Sequence, residues 1–367
     1  MKEKSRISLD DIRNMIREQA GVDRCVLCGK CASVCPSFRE LQTEVFSPRG
    51  RMALSDAFLK ERLSPGGRYF ESLLCCLGCR ACEKACPARV RPGWANLLLK
   101  NLPEFKKLHE NLINILHKDR NHHYPENLFK HLGFKISRES FMESFKKSGK
   151  ESKPPDISSE VFYFPGCINN HIFPEVARST AGLLERLGFQ AVIPSEFYCC
   201  GAPHIFLGDL KTGRDLAEKN LKAFEEHQDK TIICDCAGCA STIRLWGDLF
   251  PEGSDEKILT GKIVGNIRTL SEFLKEHSPS IFSRIPDLNS IKWADEITCP
   301  GWAMWLLSGY SAIPARILHR INQFIEDKKI TSIITEDSAC YAFLKKNLLM
   351  AQTISLSEYL ENIGSYL

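Results

Sequence analysis

The chain has little of what would mark a membrane protein, a nucleotide enzyme or a nucleic-acid binder. Its longest uncharged stretch, Ile297 to Ala315, is interrupted by Pro300, Gly301, Gly309 and Pro314, and its apolar run falls well short of the ~20 residues a spanning helix needs. No Gly-x-Gly-x-x-Gly run follows a strand-like segment, so a flavin or nicotinamide would have to sit on another subunit. Charge of one sign is not concentrated: 49 Lys and Arg face 45 Asp and Glu for a net +4, which argues against a basic nucleic-acid face. Behind the charged Met1–Arg6 there is no apolar stretch, so no signal peptide is visible and the cytoplasm is the expected compartment, with attachment to the inner face of the cytoplasmic membrane as an option. The carboxylates and histidines form no pattern typical of a hydrolase or transferase, and no catalytic residue is assigned.

Cysteine is what the chain has in abundance, seventeen in 367 residues. Secreted disulfide scaffolds are much shorter chains, so grouping as C-x2-C in a chain this long points to metal in a reducing compartment. One run reads Cys25-x2-Cys28-x2-Cys31-x3-Cys35-Pro36, and a second repeats it as Cys76-x2-Cys79-x2-Cys82-x3-Cys86-Pro87. This is the two-cluster ferredoxin spacing, in which three thiolates of one run hold one 4Fe–4S cubane and the fourth crosses to the other. One cluster is therefore expected on Cys25, Cys28, Cys31 and Cys86, the other on Cys76, Cys79, Cys82 and Cys35. A tight loop supplies three thiolates to one small object, and the proline is expected to turn the chain away after the fourth. A zinc site needs only four ligands and does not favour this four-cysteine run.

A third group comprises Pro165-Gly166-Cys167, Cys199-Cys200-Gly201 and Cys236-Ala237-Gly238-Cys239. Here the chain resembles the cysteine-rich CCG domain of heterodisulfide reductase subunits and of the iron–sulfur subunits of glycolate oxidase, lactate-utilisation and anaerobic glycerol-3-phosphate dehydrogenase systems. Ser47-Pro48-Arg49-Gly50-Arg51 and Cys76-Leu77-Gly78-Cys79-Arg80-Ala81-Cys82-Glu83 resemble the glycolate oxidase iron–sulfur subunit in particular. The resemblance implies a third, non-cubane 4Fe–4S cluster on Cys167, Cys199, Cys200, Cys236 and Cys239. It also implies partner subunits, a flavoprotein dehydrogenase among them.

Together with this resemblance, the periodicity implies an α+β chain: a helical two-cluster ferredoxin domain, then an α/β CCG domain built from two pseudo-repeats. The expected divisions are 1–100 for the ferredoxin-like domain, 101–155 for a helical segment and linker, 156–275 for the complete CCG repeat and 276–367 for a degenerate one. Ser8-Leu9-Asp10-Asp11 has capping-box form ahead of Leu9, Ile12, Met15 and Ile16 at helical spacing. Arg51–Arg62 reads as a helix. Residues 97–117 carry Leu98, Leu102, Phe105, Leu108, Leu112, Ile115 and Leu116 on one stripe, better read as core-facing than as membrane-surface. The polar stretch Lys146–Ser159 reads as a linker. Beyond it, strands at 161–164, 191–193 and 231–233 alternate with helices at 176–187 and 210–227, which implies a parallel sheet. The cysteines then fall where such sheets bind ligands, beyond the carboxyl ends of the strands.

Residues 232–239 align with 333–340, and Leu270-Ser271-Glu272-Phe273-Leu274 recurs as Leu356-Ser357-Glu358-Tyr359-Leu360. The second half is eroded. No cysteine lies between Cys239 and Cys299, Pro300 stands for the second cysteine of a CCG triplet, and Asp337 stands for the first of C-x2-C. Cys299, Cys340 and Asp337 are too few soft ligands for a five-thiolate cluster. With a water they could hold zinc; the plainer reading is a structural pseudo-repeat with buried thiols. Cys75 and Cys234 are left over. His171 and His204, near the third group, read as structural rather than as hydrogen-bond donors to cluster sulfur.

Clusters in series are built to move single electrons. The expected function is an electron-transfer subunit between a flavoprotein 2-hydroxy-acid dehydrogenase and a quinone or other carrier, the uncharged segment around Trp302, Met304 and Trp305 offering a docking patch. The alternative is a disulfide (heterodisulfide-type) or quinone reductase subunit with the CCG cluster as its active site. Heterodisulfide cleavage in that family uses two facing clusters, one per half, which the eroded half does not provide.

Overall fold

The computed structural model describes residues 8–363 apart from 65, 109, 119–123, 148–158, 195–196, 226 and 284–311. Most of the expected linker, and Cys299, Pro300, Trp302, Met304 and Trp305, lie outside the described residues. The chain divides into two compact units. One comprises Met1–Asn114, Pro203–Gly213 and Trp293–Ile321; the other comprises Ile115–Ala202, Arg214–Lys292 and Asn322–Leu367.

The described part of the first unit is helical. Helix α1 (Leu9–Glu18) opens with the expected capping box: Asp11 N–H donates to Ser8 Oγ at 3.0 Å, and Ser8 N–H donates back to Asp11 Oδ2 at 2.8 Å. Helix α2 (Pro48–Leu59) starts three residues before the expected Arg51, because Ser47 caps it and Pro48 sits at its first turn, where a missing N–H costs nothing. Helix α3 (Pro92–Leu99) is buried along its whole length. The stripe expected over 97–117 is broken after Leu99, and a new helical stretch opens at Pro103, since Pro103 cannot continue a preceding helix. Its Leu98, Leu102, Phe105, Leu112 and Leu116 are buried, as a core-facing stripe requires.

In the second unit four parallel strands make one sheet in the order β2-β1-β3-β4, with β1 Ser159–Phe164, β2 Phe189–Val192, β3 Ile232–Cys234 and β4 Ile267–Thr269. Phe162 of β1 pairs with Val192 on one side and Ile232 on the other. Val161–Phe164 of β1 and all of β3 are apolar and buried, as strands in the middle of a parallel sheet require. Strand β4, Ile267-Arg268-Thr269, is too short and too polar in its middle to be read from the sequence. A separate parallel pair joins β5 (Ser332–Thr335) to β6 (Gln352–Ser355). Helix α4 (Pro174–Arg186) serves two cores: Ala177 and Leu184 pack with Tyr163, Ile233 and Phe273, while Leu183 packs with Leu270, Leu274, Leu356 and Leu360.

Two left-handed glycines give a paired test of the first unit's packing. A Cβ at Gly208 (φ +82°) would lie 2.0 Å from the Lys100 carbonyl oxygen, whereas one at Gly253 (φ +77°) would meet nothing within 4 Å. Gly253→Ala should cost only the left-handed penalty, about 1–2 kcal/mol. Gly208→Ala should cost about 3 kcal/mol or more, because backbone must also move. Denaturant midpoints measured anaerobically compare them; equal losses would contradict the close approach.

Candidate iron–sulfur sites

The two ferredoxin-type loops share a backbone device. Leu27 (φ 52°) and Gly29 (φ 83°) flank Cys28, and Gly78 (φ 69°) and Arg80 (φ 58°) flank Cys79, all in the left-handed region. Left-handed residues on both sides of the middle cysteine turn each loop tightly, the kind of turn from which backbone N–H groups can form an anion-binding concavity. Leu27 and Arg80 take this conformation against an intrinsic cost of about 1 kcal/mol or more each, so the surrounding loop must hold them there. Neither residue type signals it in sequence.

The fourth cysteine of each run falls in with the other run. Cys31 lies within electrostatic reach of Cys25, Cys86 and Cys28, and its thiol is raised to about 11, first by burial and then by those neighbours. Cys79 is raised to about 12, mainly by burial, with Cys76 and Cys35 adding to it. Cys82 is pushed up by burial and by Cys76, Cys79, Glu83 and Cys35. Cys28 is exposed and Cys25, Cys31 and Cys86 are half-buried, whereas Cys35, Cys76 and Cys82 are buried and Cys79 is half-buried. The first group thus stands nearer the surface than the second. Pro36 does not turn the chain away as expected: it opens the helix Pro36–Leu41, with Cys35 as its N-cap. Pro87 does lie in a turn.

Around the inner group the structure adds cations that sequence reading missed. Arg51 is fully buried on α2. Its Nε donates to the Ser72 carbonyl at 2.8 Å, its Nη1 points at Cys35 Sγ at 3.9 Å, and its Nη2 has no partner. Lys100, at the end of α3, is also fully buried; its Nζ is 3.4 Å from the Cys76 carbonyl oxygen and 3.6 Å from the Phe206 ring centroid. Burial pulls Lys100 down to about 7, against the opposing pull of Cys76. Arg51 sits within the Ser47–Arg51 motif, and the one available signal was its helical spacing among apolar residues.

The third group is assembled at the carboxyl ends of adjacent parallel strands. Cys167 follows β1 and Cys236 follows β3 within three residues, while Cys199 comes seven residues after β2, further than expected. Cys167 Sγ lies 3.8 Å from Cys199 Sγ. The chain of contacts runs on from Cys199 to Cys200, from Cys200 to Cys239, and from Cys239 to Cys236. All five are buried. The hydrogen bond from Cys167, then burial, pushes the Cys199 thiol well up, and the Cys199 hydrogen bond does the same to Cys200. Gly166 is needed here: its φ is +75°, and a Cβ would lie 3.2 Å from Cys239 Sγ. Trp246 Nε1 holds the Cys200 carbonyl at 3.0 Å.

Asp337 reaches this group from the far half of the sequence. Oδ2 accepts from Gly238 N–H at 2.7 Å and stands 3.6 Å from Cys236 Sγ, while Oδ1 accepts from Cys340 N–H at 2.7 Å. One carboxylate thus caps both the helix α5 (Ala237–Ile243) and the helix α6 (Ser338–Asn347). Cys340 is disulfide-bonded rather than a thiol. Cys234 is buried at the end of β3 beside Cys236, and Cys75 is buried near Arg51. His171 stacks on Tyr124 at 3.5 Å, and His204 Nδ1 pairs with Asp209 Oδ2 at 3.0 Å, both structural roles.

The donor sets fit iron–sulfur clusters. Each is all-sulfur, the soft chemistry such clusters select, and the orphaned Arg51 Nη2 beside Cys35 lacks the anion a cluster would supply. Iron binding must displace protons from thiols that burial holds neutral. Serine at Cys35 should therefore disturb the cluster held by Cys76, Cys79 and Cys82, read by EPR of the anaerobic protein; damage confined to the Cys25 group would contradict the crossing. Cys75→Ser and Cys234→Ser should leave iron content unchanged, and loss of iron in the latter would mean that the last cysteine pair is out of register.

Two family profiles match: a 4Fe-4S dicluster domain over residues 21–90 and a cysteine-rich domain, CCG, over residues 161–244. The probable glycolate oxidase iron-sulfur subunit of Bacillus subtilis is 27% identical over 301 residues, covering 69% of this chain and 65% of that protein. A fumarate reductase (CoM/CoB) subunit of Methanothermobacter marburgensis is 25% identical over 359 residues, 88% of this chain and 68% of that one. The glycolate oxidase iron-sulfur subunit of Escherichia coli is 28% identical over 243 residues, 61% of this chain and 58% of that one. The chain thus spans about two thirds or less of these relatives' length. No solved structure matches the chain. In order along its sequence the chain carries a 4Fe-4S dicluster domain and a CCG cysteine-rich domain, and it resembles the iron–sulfur subunits of glycolate oxidase.

Proposed function

We propose that this chain is the iron–sulfur subunit of an oxidoreductase complex, relaying electrons from a flavoprotein that oxidises a 2-hydroxy acid of the glycolate or lactate type to a quinone or another carrier. Cys25, Cys28, Cys31 and Cys86 would hold one cubane; Cys76, Cys79, Cys82 and Cys35 would hold another. Cys167, Cys199, Cys200, Cys236 and Cys239 would hold a third cluster, of the non-cubane 4Fe–4S kind. Bound there, such clusters supply reversible one-electron oxidation and reduction without gain or loss of heavy atoms.

The observation that carries this reading is the grouping of thirteen cysteines into sets of four, four and five by segments far apart in sequence. The residues around them exclude water and fix sulfur positions: Trp246 anchors the Cys200 backbone, Gly166 gives Cys239 its space, and Asp337 caps the Cys236 turn. The five CCG sulfurs are buried, which suits electron exchange through the protein better than bonding to a substrate sulfur. Residues 156–275 and 276–367 are read as two CCG halves, following the ferredoxin-like 1–100 and the segment 101–155. In support, a strand, helix, strand and helix recur as β3, α5, β4 and Leu270–His277 and as β5, α6, β6 and Leu356–Ile363, the first set carrying an additional helix, Asp255–Val264, before β4. The second half offers Asp337 where a cysteine would stand and a Cys340 already in a disulfide. A heterodisulfide mechanism that needs a cluster in each half is therefore the weaker reading. The proposed place is the cytoplasm, free or against the membrane face; among the described residues no helix is long and apolar enough to cross a membrane.

The isolated chain with clusters intact should neither oxidise glycolate or lactate nor reduce a disulfide at a useful rate. Adding the flavoprotein that co-purifies with it should restore 2-hydroxy-acid oxidation, with bleaching of the cluster absorbance. Robust disulfide reduction by the lone chain, abolished in Cys199→Ser, would overturn the relay and make the CCG site an active site.

A further inference from the structure

Arg51 and Lys100 are two cations in a place where the fold offers them no carboxylate. Both are at most 3% exposed, both lie in the first unit, and neither forms an ion pair among the described residues. A buried unpaired charge is strongly destabilising, so a compensating anion belongs beside them. What they do approach is the inner group of cysteines: Arg51 Nη1 points at Cys35 Sγ at 3.9 Å, and Lys100 Nζ donates to the Cys76 backbone carbonyl at 3.4 Å. Arg51 Nη2 is left with a buried, unspent donor on the same side chain. The other charged groups here do not cancel them. Glu83 is already shared between Arg80 at 2.7 Å and Arg91 at 3.4 Å, two cations to one carboxylate.

The outer group is provided for differently. Cys28 is exposed, and Arg49, which lies against Gly29 of that loop, is itself about two-fifths exposed and tied to Glu44 at 2.7 Å. Water and ions screen what remains of its field, whereas a cation held inside the protein is screened far less. Charge that appears on reduction is thus met by two buried basic groups at one site and by a neutralised pair at the other.

We propose that Arg51 and Lys100 are positioning residues for the cluster of Cys76, Cys79, Cys82 and Cys35, raising its reduction potential so that it is the member of the cubane pair on which an electron settles. The inference rests on the crossed two-cubane reading. Arg51 acts by a charge-assisted hydrogen bond to ligand sulfur and by its spare N–H, Lys100 by charge alone. Phe206, whose ring covers Lys100 at 3.6 Å, keeps that charge from water. Phe206 belongs to the segment Pro203–Gly213, which follows the Cys199–Cys200 doublet in the chain and is part of the first unit.

The test is an EPR-monitored redox titration of the full-length anaerobic protein and three variants at equal iron content. The two cubanes of the wild type should show two one-electron steps, followed at their own spectral features apart from any signal of the CCG site. In Lys100→Met the upper midpoint should fall by at least the equivalent of a tenfold change in the reduced-to-oxidised ratio, 59 mV for one electron, with the lower midpoint unmoved. Arg51→Gln should lower the same midpoint, and Arg51→Lys, which keeps the charge, should recover most of the loss. An upper midpoint unchanged in Lys100→Met, or a fall in the lower one instead, overturns the assignment. If Arg51→Gln fails to retain iron, Lys100→Met alone decides. Absence of two cubane steps from the wild type would overturn the cluster reading itself, a result distinct from two steps that ignore Lys100.

Discussion

Sulfur has to be gathered from distant parts of the chain and its negative charge balanced inside a protein, and the rest of this structure depends on that constraint. A thiolate is costly to bury, so burial and neighbouring thiols raise every resolved shift among the ligand cysteines. Three devices answer the cost. Left-handed residues on both sides of Cys28 and Cys79 turn both loops tightly, in the manner of an anion-binding concavity. Strand ends in a parallel sheet bring Cys167, Cys199 and Cys236 to one edge. Arg51 and Lys100 put positive charge beside the inner group.

The same constraint orders the polar interior of the second unit. Asp235 precedes Cys236 and is buried, its carboxylate accepting from Tyr163 Oη at 2.8 Å, Thr180 Oγ1 at 2.9 Å and Asn169 Nδ2 at 3.1 Å. Burial still holds it up at about 7. Glu336 precedes Asp337 and is half-buried, accepting from Thr269 Oγ1 and Ser271 Oγ. The two turns bond to each other, Ala237 N–H to the Glu336 carbonyl at 3.1 Å and Ser338 Oγ to the Asp235 carbonyl at 3.2 Å. Asp337 in the place of a cysteine therefore still has work, closing the turn that carries Cys236 rather than binding a cluster of its own half.

What the sequence made legible was spacing and period. The C-x2-C-x2-C-x3-C-P runs stand out because cysteine is rare and its ligand spacing strict, and the strands expected at 161–164 and 231–233 lie inside β1 and within one residue of β3 respectively. The capping box at Ser8–Asp11 is a local rule and held locally. Contacts between distant residues of ordinary type were not legible. Nothing in the letters says that Leu27 and Arg80 are left-handed, that Arg51 faces Cys35, or that Lys100 lies under Phe206. The three-residue strand β4 and the break at Pro103 show the other limit: short elements are decided by neighbours, and one proline outweighs a long apolar stripe.

The most direct measurement is Mössbauer spectroscopy of the full-length protein loaded with iron-57 under anaerobic conditions, compared with Cys199→Ser. If the cysteines divide as the fold groups them, about eight irons should give cubane signals, with a further component from the CCG site. Cys199→Ser should remove that component and leave the cubane signals intact. Cubane signals well below two clusters, or their loss together with the third component in Cys199→Ser, would contradict the division on which everything else is built.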